Sequence, residues 1–308
     1  MPSIAYFGPE GTFTEQAALT YAQPTDSLVP VTTVPLALAA VRAGDTDRAC
    51  VPVENSVEGA VSATMDALAV DDPLVAVAEI VLPVRFSILA RPGLRAADVR
   101  TVASHPHALA QVQGWLLANL GRAEQVAANS TAAAAVGVAA GEWDAAVTAP
   151  VAASHYPLDV LATGVADLDG AVTRFLLLSR PGTLPEPTGQ DRTSIVAVAA
   201  AERTGVLAEM LTELALRGIN LTRIESRPQK GRLGQYRFYL DLDGHVTEQR
   251  VGDALAALHR RCQELRFLGS YPKAEPGPPA AGAAAGHTDD DYMAAARWLS
   301  EVLGGTAG

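Results

Sequence analysis

The sequence predicts an α/β protein with two similar lobes, each built on a parallel sheet, followed by a smaller α+β unit of the ferredoxin-like type. Three observations predict this class. Strand and helix patterns alternate in the first part of the chain, the same alternation then returns, and a Pro- and Gly-rich break is followed by the order βαββαβ. A chain of 308 residues exceeds the size of a single core, so two or three domains are expected.

The first lobe begins with three strand patterns separated by two helix patterns. The strands are IAYFG, LVPVTT and RACVPVEN. Thr12 followed by Glu15 indicates a capping box at the start of the first helix, and Pro35 begins the second helix. The third strand runs into the polar loop Glu54-Asn55-Ser56, where α/β proteins present functional residues.

The second lobe repeats this order of elements. It reads as strand RTVASH, helix PHALAQVQGWLLAN, strand EQVAANS, helix TAAAAVGVAA and strand DAAVTAP. Thr33 and Ser130 precede corresponding helices, Gly44 and Gly141 precede corresponding strands, and the members of each pair are 97 residues apart. Two related lobes predict a ligand site in the crevice between them, at the carboxyl ends of their strands.

A break in composition, RPGTLPEPTGQDR, separates the lobes from the last folded unit. That unit reads as strand TSIVAVAA, a helix closed by Gly218, strands INLTRIESRP and YRFYLDLDG, a second helix and strand ELRFLGSY. The side chains predicted to share the buried face of the third strand are Tyr236, Phe238, Leu240 and Leu242.

After this unit, PKAEPGPPAAGAAAGH predicts a flexible spacer. The segment DDDYMAAARWLSEVLGG predicts a short amphipathic helix with acidic residues in its first turn. We interpret it as a helix that docks on the same chain or on a neighbouring one.

The composition excludes several classes of partner. A net charge of −11 without any basic stripe argues against nucleic acid and against an anionic membrane surface. The chain shows neither a signal-peptide pattern nor an apolar stretch long enough to span a bilayer, so we expect a cytoplasmic protein. Cys50 and Cys262 are far apart and are expected to be reduced.

Four short polar clusters interrupt the apolar elements: GPEGTFTEQAA, VPVENSVEGAV, SHPHALAQ and AVTRF. The first follows a strand and opens a helix at Thr12, which suits an anion cradle or simply a well-capped helix. In the second, Glu54 and Asn55 suit a hydroxylated ligand or an ordinary polar turn. In the third, Ser104 and Gln111 can point the same way, whereas capping and packing are the expected role of His107.

The last cluster places Arg174 at the mouth of a buried strand. A buried guanidinium needs an anionic partner, which is either a carboxylate of the ligand or a protein carboxylate such as Asp167 or Asp169. All four clusters stand at strand ends, and the sequence lacks the motifs of a hydrolase triad or a zinc enzyme. Together they suit an anionic, hydroxylated small molecule.

In combination, these clusters resemble the prephenate dehydratase family, and GVLAEML, GINLTRIESRP and FYLDLDGH resemble the ACT regulatory domain that follows it. The match runs from Ser3 to about Tyr271. The resemblance implies a periplasmic-binding-protein-like catalytic domain that converts prephenate to phenylpyruvate, water and carbon dioxide in phenylalanine biosynthesis, without cofactor or metal. The implied division is catalytic domain 1–182 (lobe boundary near 80–95, second lobe about 95–160), linker 183–192, ACT domain 193–272, spacer 273–288 and helix 289–304.

The resemblance also implies roles for particular residues. Thr173 is the expected donor to the departing hydroxyl group, and Arg174 either clamps the pyruvyl carboxylate or orders the site through Glu54. Glu54 is a proton source only if burial keeps it protonated. The residues expected to bind and orient the substrate are Thr12, Asn55, Ser104, Gln111 and Phe175. Ala171 stands where the family often has Asn, so the hydrogen bond of that amide is absent or replaced.

The ACT domain implies feedback by L-phenylalanine, held between subunits of a homodimer or homotetramer. The residues expected to frame or respond to this site are Gly205, Val206, Leu207, Ala208, Asn220, Leu221, Glu225, Ser226, Arg227 and Pro228. Here Gly-Val-Leu-Ala replaces the usual Gly-Ala-Leu-Val, which keeps an apolar wall. Two other functions agree with the same residues: arogenate dehydratase, and a non-catalytic sensor of aromatic amino acids.

Overall fold

A computed structural model describes residues 1–200, 203–229, 232–275 and 285–304. The strands are β1 Ser3–Phe7, β2 Ser27–Val31, β3 Arg48–Asn55, β4 Gly59–Ala60, β5 Val75–Pro83, β6 Ser87–Ala90, β7 Thr101–Ser104, β8 Glu124–Ala127, β9 Ala145–Thr148, β10 Asp159–Thr163, β11 Val172–Ser179, β12 Asp191–Ala199, β13 Leu221–Gln229, β14 Arg232–Asp243 and β15 Cys262–Pro272. The helices are α1 Phe13–Tyr21, α2 Val34–Ala43, α3 Ser62–Ala69, α4 Pro106–Gln111, α5 Gln113–Leu120, α6 Thr131–Ala139, α7 Ala152–His155, α8 Val206–Ala215, α9 Gln249–Arg261 and α10 Asp289–Leu303, with a 3₁₀ turn at Ala96–Asp98.

Internal contacts divide the chain into two compact units. The first contains Met1–Ala67 and Ile80–Leu178, and the second contains Leu68–Glu79 and the described residues from Ser179 onward. The strand β5 passes from the second unit into the first. None of the helices in the described part of the chain combines the length and apolarity needed to cross a bilayer.

The first unit contains two sheets of mixed type. One has the order β2-β1-β3-β11-β5 with β4 paired to β3, and the other has the order β10-β6-β9-β7-β8. The strands predicted from the alternating pattern pair in parallel, as β1 does with β2 and β3, and β7 with β8 and β9. The strands β6 and β10, which the sequence did not reveal, add an antiparallel edge to the second sheet.

The predicted helix from residue 106 onward is broken in the structure. It divides at Val112, whose backbone leaves the helical region at φ −126° and ψ 15° and whose side chain is fully buried. The carboxylate of Asp167 accepts hydrogen bonds from the amides of Gly114 and Trp115, at 2.7 and 3.0 Å, and so caps the new start of α5. Asp167, one of the carboxylates considered as a partner of Arg174, therefore caps α5.

The second unit forms an antiparallel sheet of order β13-β14-β12-β15 with α8 and α9 packed on it. This is the predicted βαββαβ order. Phe238, Leu240 and Leu242 lie in its core, but Tyr236, predicted to share their face, is 45% exposed in the first half of β14. The strand β12 begins at Asp191, inside the segment predicted to be linker.

The final helix α10 begins at a capping box formed by Thr288 and Asp291. Asp289 accepts a hydrogen bond from the Gln249 amide at 2.8 Å, so the start of α10 contacts α9 of the same chain. Residues 276–284, which make up most of the predicted spacer, lie outside the described residues.

Segment 68–79 packs tightly within the second unit. Arg266 donates to the carbonyl oxygens of Val70 and Asp71, at 3.2 and 2.9 Å, and the buried Glu79 forms an ion pair with Arg192. Gly269 has φ +131°, and a Cβ at that position would stand 2.4 Å from the carbonyl oxygen of Ala76. The close approach of β15 to segment 68–79 therefore requires glycine.

We expect Gly269→Ala to destabilise the protein by about 2 kcal/mol through overpacking, which corresponds to a melting temperature lower by roughly 4 to 8 °C. The matched control is Gly252→Ala in α9, where the nearest atom to the new Cβ is 3.4 Å away and the substitution gains about 1 kcal/mol of helix propensity. Calorimetric melting of both variants checks this. An unchanged melting temperature for Gly269→Ala would refute the close-packing argument.

Candidate active site

The first unit contains a cavity of about 350 Å³. It lies beyond the carboxyl ends of β1, β3, β7 and β8, where α/β sheets place ligands. The lining residues are Phe7, Thr12, Phe13, Thr14, Asn55, Glu58, Val61, Val84, Phe86, His105, His107, Ala108, Gln111, Asn129, Ser130, Thr131 and Thr173. Four of the predicted site residues are therefore brought together: Thr12, Asn55, Gln111 and Thr173.

Three helices direct their N-terminal ends at this cavity. Lining residues come from the start of α1 (Thr12 to Thr14), of α4 (His105 to Ala108) and of α6 (Asn129 to Thr131). The first amides of a helix have no partner within it, and the helix dipole adds partial positive charge there. Thr12 and Ser130 use their side chains as caps, accepting from the amides of Glu15 and Ala133. The remaining donors around the cavity are suited to anions.

Thr173 lies beside Asn55 in a hydrogen bond of defined direction. The amide nitrogen of Asn55 donates to the Thr173 hydroxyl at 2.8 Å. The amide oxygen of Asn55 accepts from the backbone of Val57 and Glu58, at 2.8 and 3.0 Å, so this side chain cannot rotate without losing both bonds. Thr173 is therefore an acceptor towards Asn55, and its own hydrogen remains available for another acceptor in the cavity.

The turn after Asn55 places a carboxylate at the cavity. One oxygen of Glu58 lies 3.3 Å from Nδ1 of His107, and the other accepts from the Gln111 side chain at 3.4 Å. His105 accepts from the His107 amide at 3.3 Å and caps α4. Burial lowers the pKa of His105, and His107 lowers it further, against an opposing effect of Glu58, so this ring is neutral near pH 7.

The cavity otherwise has an apolar wall and few charges. The rings of Phe13 and Phe86 meet edge to face with centroids 5.5 Å apart. Among the described residues that line the cavity there is no Lys or Arg, and its titratable side chains are Glu58, His105 and His107. A negatively charged ligand in this cavity would therefore be bound mainly through hydrogen bonds from amides, hydroxyl groups and imidazoles.

Ser104 and Phe175, predicted to bind substrate, do not line the cavity. Ser104 is fully buried, and its hydroxyl donates to the carbonyl oxygen of Val147 at 2.6 Å, which joins β7 to β9. Phe175 is 1% exposed and belongs to the core. Both side chains are therefore packed inside the unit and do not form part of the cavity surface.

Glu54 and Arg174 also lie outside the cavity lining. Each is next in sequence to a lining residue, Asn55 or Thr173, and successive side chains of a strand point to opposite faces. The Arg174 guanidinium, 10% exposed, lies 3.8 Å from the Glu54 carboxylate. Of the two roles predicted for Arg174, this geometry fits ordering of the site through Glu54. The Glu54 side chain is 39% exposed, so the burial required of a proton source is not present.

The structure adds residues to which sequence reasoning gave no ligand-binding role. Asn129, Ser130 and Thr131 belong to the segment NST before an Ala-rich helix, and the repeat had marked Ser130 only as the counterpart of Thr33. Thr33 and Ser130 are both N-caps, in line with their corresponding positions in the repeat. The pattern that identifies this third helix start was therefore present in the sequence, but the direction of the helix depends on how the two sheets are arranged within the unit.

The residues predicted to frame an effector site lie in two groups in the second unit. Gly205 to Ala208 form the start of α8, with Gly205 at φ +85°. Asn220 and Leu221 lie at the start of β13, just after the other end of α8, and Asn220 donates to Asp243 at 2.9 Å. The ten residues of α8 rise about 15 Å, so the two groups are separated by the length of this helix. Glu225 to Pro228 follow along the edge strand β13.

Comparisons with known proteins agree on one family. Its model, prephenate dehydratase, matches residues 4–183, and the ACT domain model matches residues 194–260. Prephenate dehydratase of Amycolatopsis methanolica is 62% identical over 306 residues, covering 99% of each chain. The structure of prephenate dehydratase from Arthrobacter aurescens in complex with L-Phe is 44% identical, covers 98% of this chain and 99% of that one, and has a TM-score of 0.91. A further similar structure, named GqqA, a novel type of quorum quenching acylase, is 32% identical with a TM-score of 0.80, covering 89% of this chain and 98% of that one.

Proposed function

The chain belongs to the prephenate dehydratase family, and on that premise we propose how its residues convert prephenate to phenylpyruvate and how phenylalanine regulates the reaction. The observation that carries the catalytic part is the directed hydrogen bond from Asn55 to Thr173. It leaves the Thr173 proton free to meet a departing hydroxyl group.

The reaction sets the chemical requirements. The C–O bond to the ring hydroxyl breaks, the C–C bond to the ring carboxylate breaks, and the electron pair of the latter completes the aromatic ring. The carboxylate leaves as carbon dioxide, and the hydroxyl leaves as water after taking up one proton. The difficult event is departure of hydroxide, which a positioned donor assists.

Thr173 meets the departing hydroxyl group as a hydrogen-bond donor. A threonine hydroxyl is too weak an acid to give up its proton at neutral pH, so it polarises the leaving group or relays a proton to it. The proton itself comes from solvent or from a titratable group of the cavity. Phe13 and Phe86 hold the ring, and Gln111 orients the substrate from α4.

Amides and hydroxyls at the starts of α1 and α6 bind the carboxylates of the substrate. This matches the chemistry, because a strong ion pair to the ring carboxylate would stabilise the ground state of a group that must become neutral. Arg174 acts from behind the site, holding Glu54 and the end of β3 from which Asn55 extends.

Regulation requires a second copy of the chain. The two groups of effector residues lie at opposite ends of α8, so one chain alone does not bring them around a single amino acid. A second copy in antiparallel orientation brings Gly205 to Ala208 of one chain to Asn220 of the other, and the edge strand β13 offers backbone groups for pairing. We therefore propose a homodimer, alone or within a tetramer, that binds L-phenylalanine between its ACT domains. We also propose the domain limits given in the sequence analysis and a cytoplasmic location.

Turnover by the purified chain tests the function. Prephenate should give phenylpyruvate and an equal amount of carbon dioxide, faster than arogenate is converted, and L-phenylalanine should lower the rate. Faster conversion of arogenate would favour the arogenate dehydratase alternative. Binding of aromatic amino acids without release of carbon dioxide would favour the sensor.

Thr173→Ala should lower kcat by about 10² to 10³, the usual effect of losing one transition-state donor. KM should change little, because the lost interaction forms mainly in the transition state. Thr173→Ser keeps the hydroxyl group and should keep most of the rate. Steady-state kinetics on all three proteins check this, and an unchanged kcat for Thr173→Ala would remove Thr173 from catalysis.

Asn55→Asp should be at least as damaging as the loss of Thr173. The new carboxylate still accepts from the backbone amides of Val57 and Glu58, so the turn is kept. Towards Thr173, however, it accepts a hydrogen bond from the hydroxyl group, whereas the amide of Asn55 donates one to it. The expected fall in kcat is about 10² or more. Asn119→Asp, which makes the same change at an exposed position of α5, is the control and should retain normal turnover. If Asn55→Asp is as active as wild type, the direction of the hydrogen bond has no catalytic meaning.

Asn220→Ala should weaken inhibition by phenylalanine while basal kcat and KM stay near normal. The substitution removes the Asn220 side-chain amide from the predicted effector site. About tenfold more phenylalanine should then be needed for half-inhibition, the effect of one lost hydrogen bond. Asn119→Ala serves as control. Inhibition curves at fixed prephenate provide the measurement, and undiminished sensitivity would contradict the assignment of Asn220.

A further inference from the structure

A buried carboxylate lies directly behind the α1 end of the cavity, and the catalytic proposal does not use it. Glu15, with a side chain 5% exposed, accepts a hydrogen bond from the Gly11 amide at 2.5 Å and does not line the cavity. The Tyr6 hydroxyl also hydrogen-bonds to it, and burial together with the nearby carboxylates raises the pKa of Tyr6 above its ordinary value. A further partner is His155, whose Nε2 lies 2.9 Å from the Glu15 carboxylate and whose Nδ1 lies 3.7 Å from the Glu10 carboxylate.

His155 belongs to a segment that holds the whole turn before α1. It ends α7, which packs against the turn so closely that a Cβ on Gly11 would stand 3.1 Å from the Ala152 side chain. The next residue, Tyr156, donates to the carbonyl oxygen of Glu10 at 2.9 Å. Gly11 itself has φ +87°, a conformation that favours glycine. The turn is therefore shaped by contacts with α7, which follows β9 of the other sheet.

This turn determines what α1 presents to a ligand. The Thr12 hydroxyl accepts from the Glu15 amide and donates to the Phe7 carbonyl oxygen, both at 3.2 Å, so both of its hydrogen-bonding roles are used internally. What α1 offers the cavity is then the backbone donors of its first turn. Their position depends on the Gly11 to Glu15 geometry.

The buried carboxylate creates an electrostatic problem for an anion at this end of α1. A negative charge in the first turn opposes the dipole that attracts the ligand, and a charge in a buried position is poorly screened. A hydrogen bond from the adjacent His155 ring stabilises and disperses that charge. Without it, a dianionic substrate would approach a carboxylate that has lost one of its donors, across a short distance of protein.

We propose that His155 is a positioning residue for substrate binding: it donates a hydrogen bond to Glu15 and fixes the Gly11–Thr12 turn, so that α1 can bind a carboxylate of the substrate. This inference rests on the proposed function, since it assigns how the substrate anion is held. It places a determinant of KM outside the cavity, on the segment after β9, which belongs to none of the four polar clusters recognised in the sequence.

The test compares His155→Leu with His155→Gln, Glu15→Gln and the double variant His155→Leu/Glu15→Gln. His155→Leu removes one donor from the buried Glu15 carboxylate, so KM for prephenate should rise about tenfold, the effect of one lost hydrogen bond to a charged group. The kcat should stay within about twofold, because the lost interaction is the same in ground and transition states. His155→Gln can donate to Glu15 and should keep KM close to wild type.

The double variant separates charge from packing. Removing the charge of Glu15 while keeping an acceptor for the Gly11 amide should return KM to within about threefold of wild type. His259→Leu, at an exposed position of α9, is the matched control and should leave KM unchanged. Melting temperatures measured in parallel identify any variant that fails to fold. If a His155 variant fails to fold, Glu15→Gln alone provides the test, and its KM for prephenate should be equal to or lower than that of the wild type.

An unchanged KM for His155→Leu would overturn the inference. So would a double variant with a KM as high as that of the single one, or a loss confined to kcat. Any of these three results, together with normal conversion of prephenate by the wild type, overturns only the inference about His155. A wild-type chain that does not convert prephenate sinks the proposed function instead.

Discussion

Asn55 accepts two hydrogen bonds from the turn that follows it and donates one to Thr173, and the chemistry of the cavity depends on this arrangement. The two accepted bonds determine which end of the amide faces Thr173, and that in turn determines where the threonine proton can go. The same turn carries Glu58 to the cavity, where it meets His107 and Gln111. One side chain thus sets both the direction of the Thr173 hydroxyl and the position of the Glu58 carboxylate at the cavity.

The second constraint is the binding of a doubly charged substrate where the described lining has neither Lys nor Arg. We propose that the helix N-termini at the cavity meet that need with oriented dipoles, which cost no reorganisation when the substrate binds. Neutral donors also suit a reaction in which one carboxylate must lose its charge as carbon dioxide. The guanidinium of Arg174 lies 3.8 Å from the Glu54 carboxylate and does not line the cavity, so in the proposed mechanism it supports the site without competing for that group.

The sequence predicted the fold well where local patterns carried the information. Thr12 and Ser130 cap helices, as their positions before those helices indicate, and the order βαββαβ is the one observed. The capping box predicted for Thr12 and Glu15 forms only in part, because the Glu15 side chain accepts from the Gly11 amide instead of the Thr12 amide. Of the residues to which the resemblance gave a role in the site, Thr12, Asn55, Gln111 and Thr173 line the cavity, whereas Ser104 and Phe175 do not. The order of residues along a strand does not by itself tell which face meets a ligand. The break of the helix at Val112 and the role of Glu58 depend on contacts between distant segments, and a one-dimensional pattern does not contain them.

The central claim is tested most directly by the crystal structure of the Thr173→Val variant with prephenate bound. This variant removes the hydroxyl group but keeps its volume, so substrate should bind and persist. We predict the ring hydroxyl next to residue 173, with carboxylate oxygens within hydrogen-bonding distance of the amides that begin α1 and α6. A carboxylate bound to the Arg174 guanidinium, or a ring hydroxyl remote from residue 173, would contradict the account.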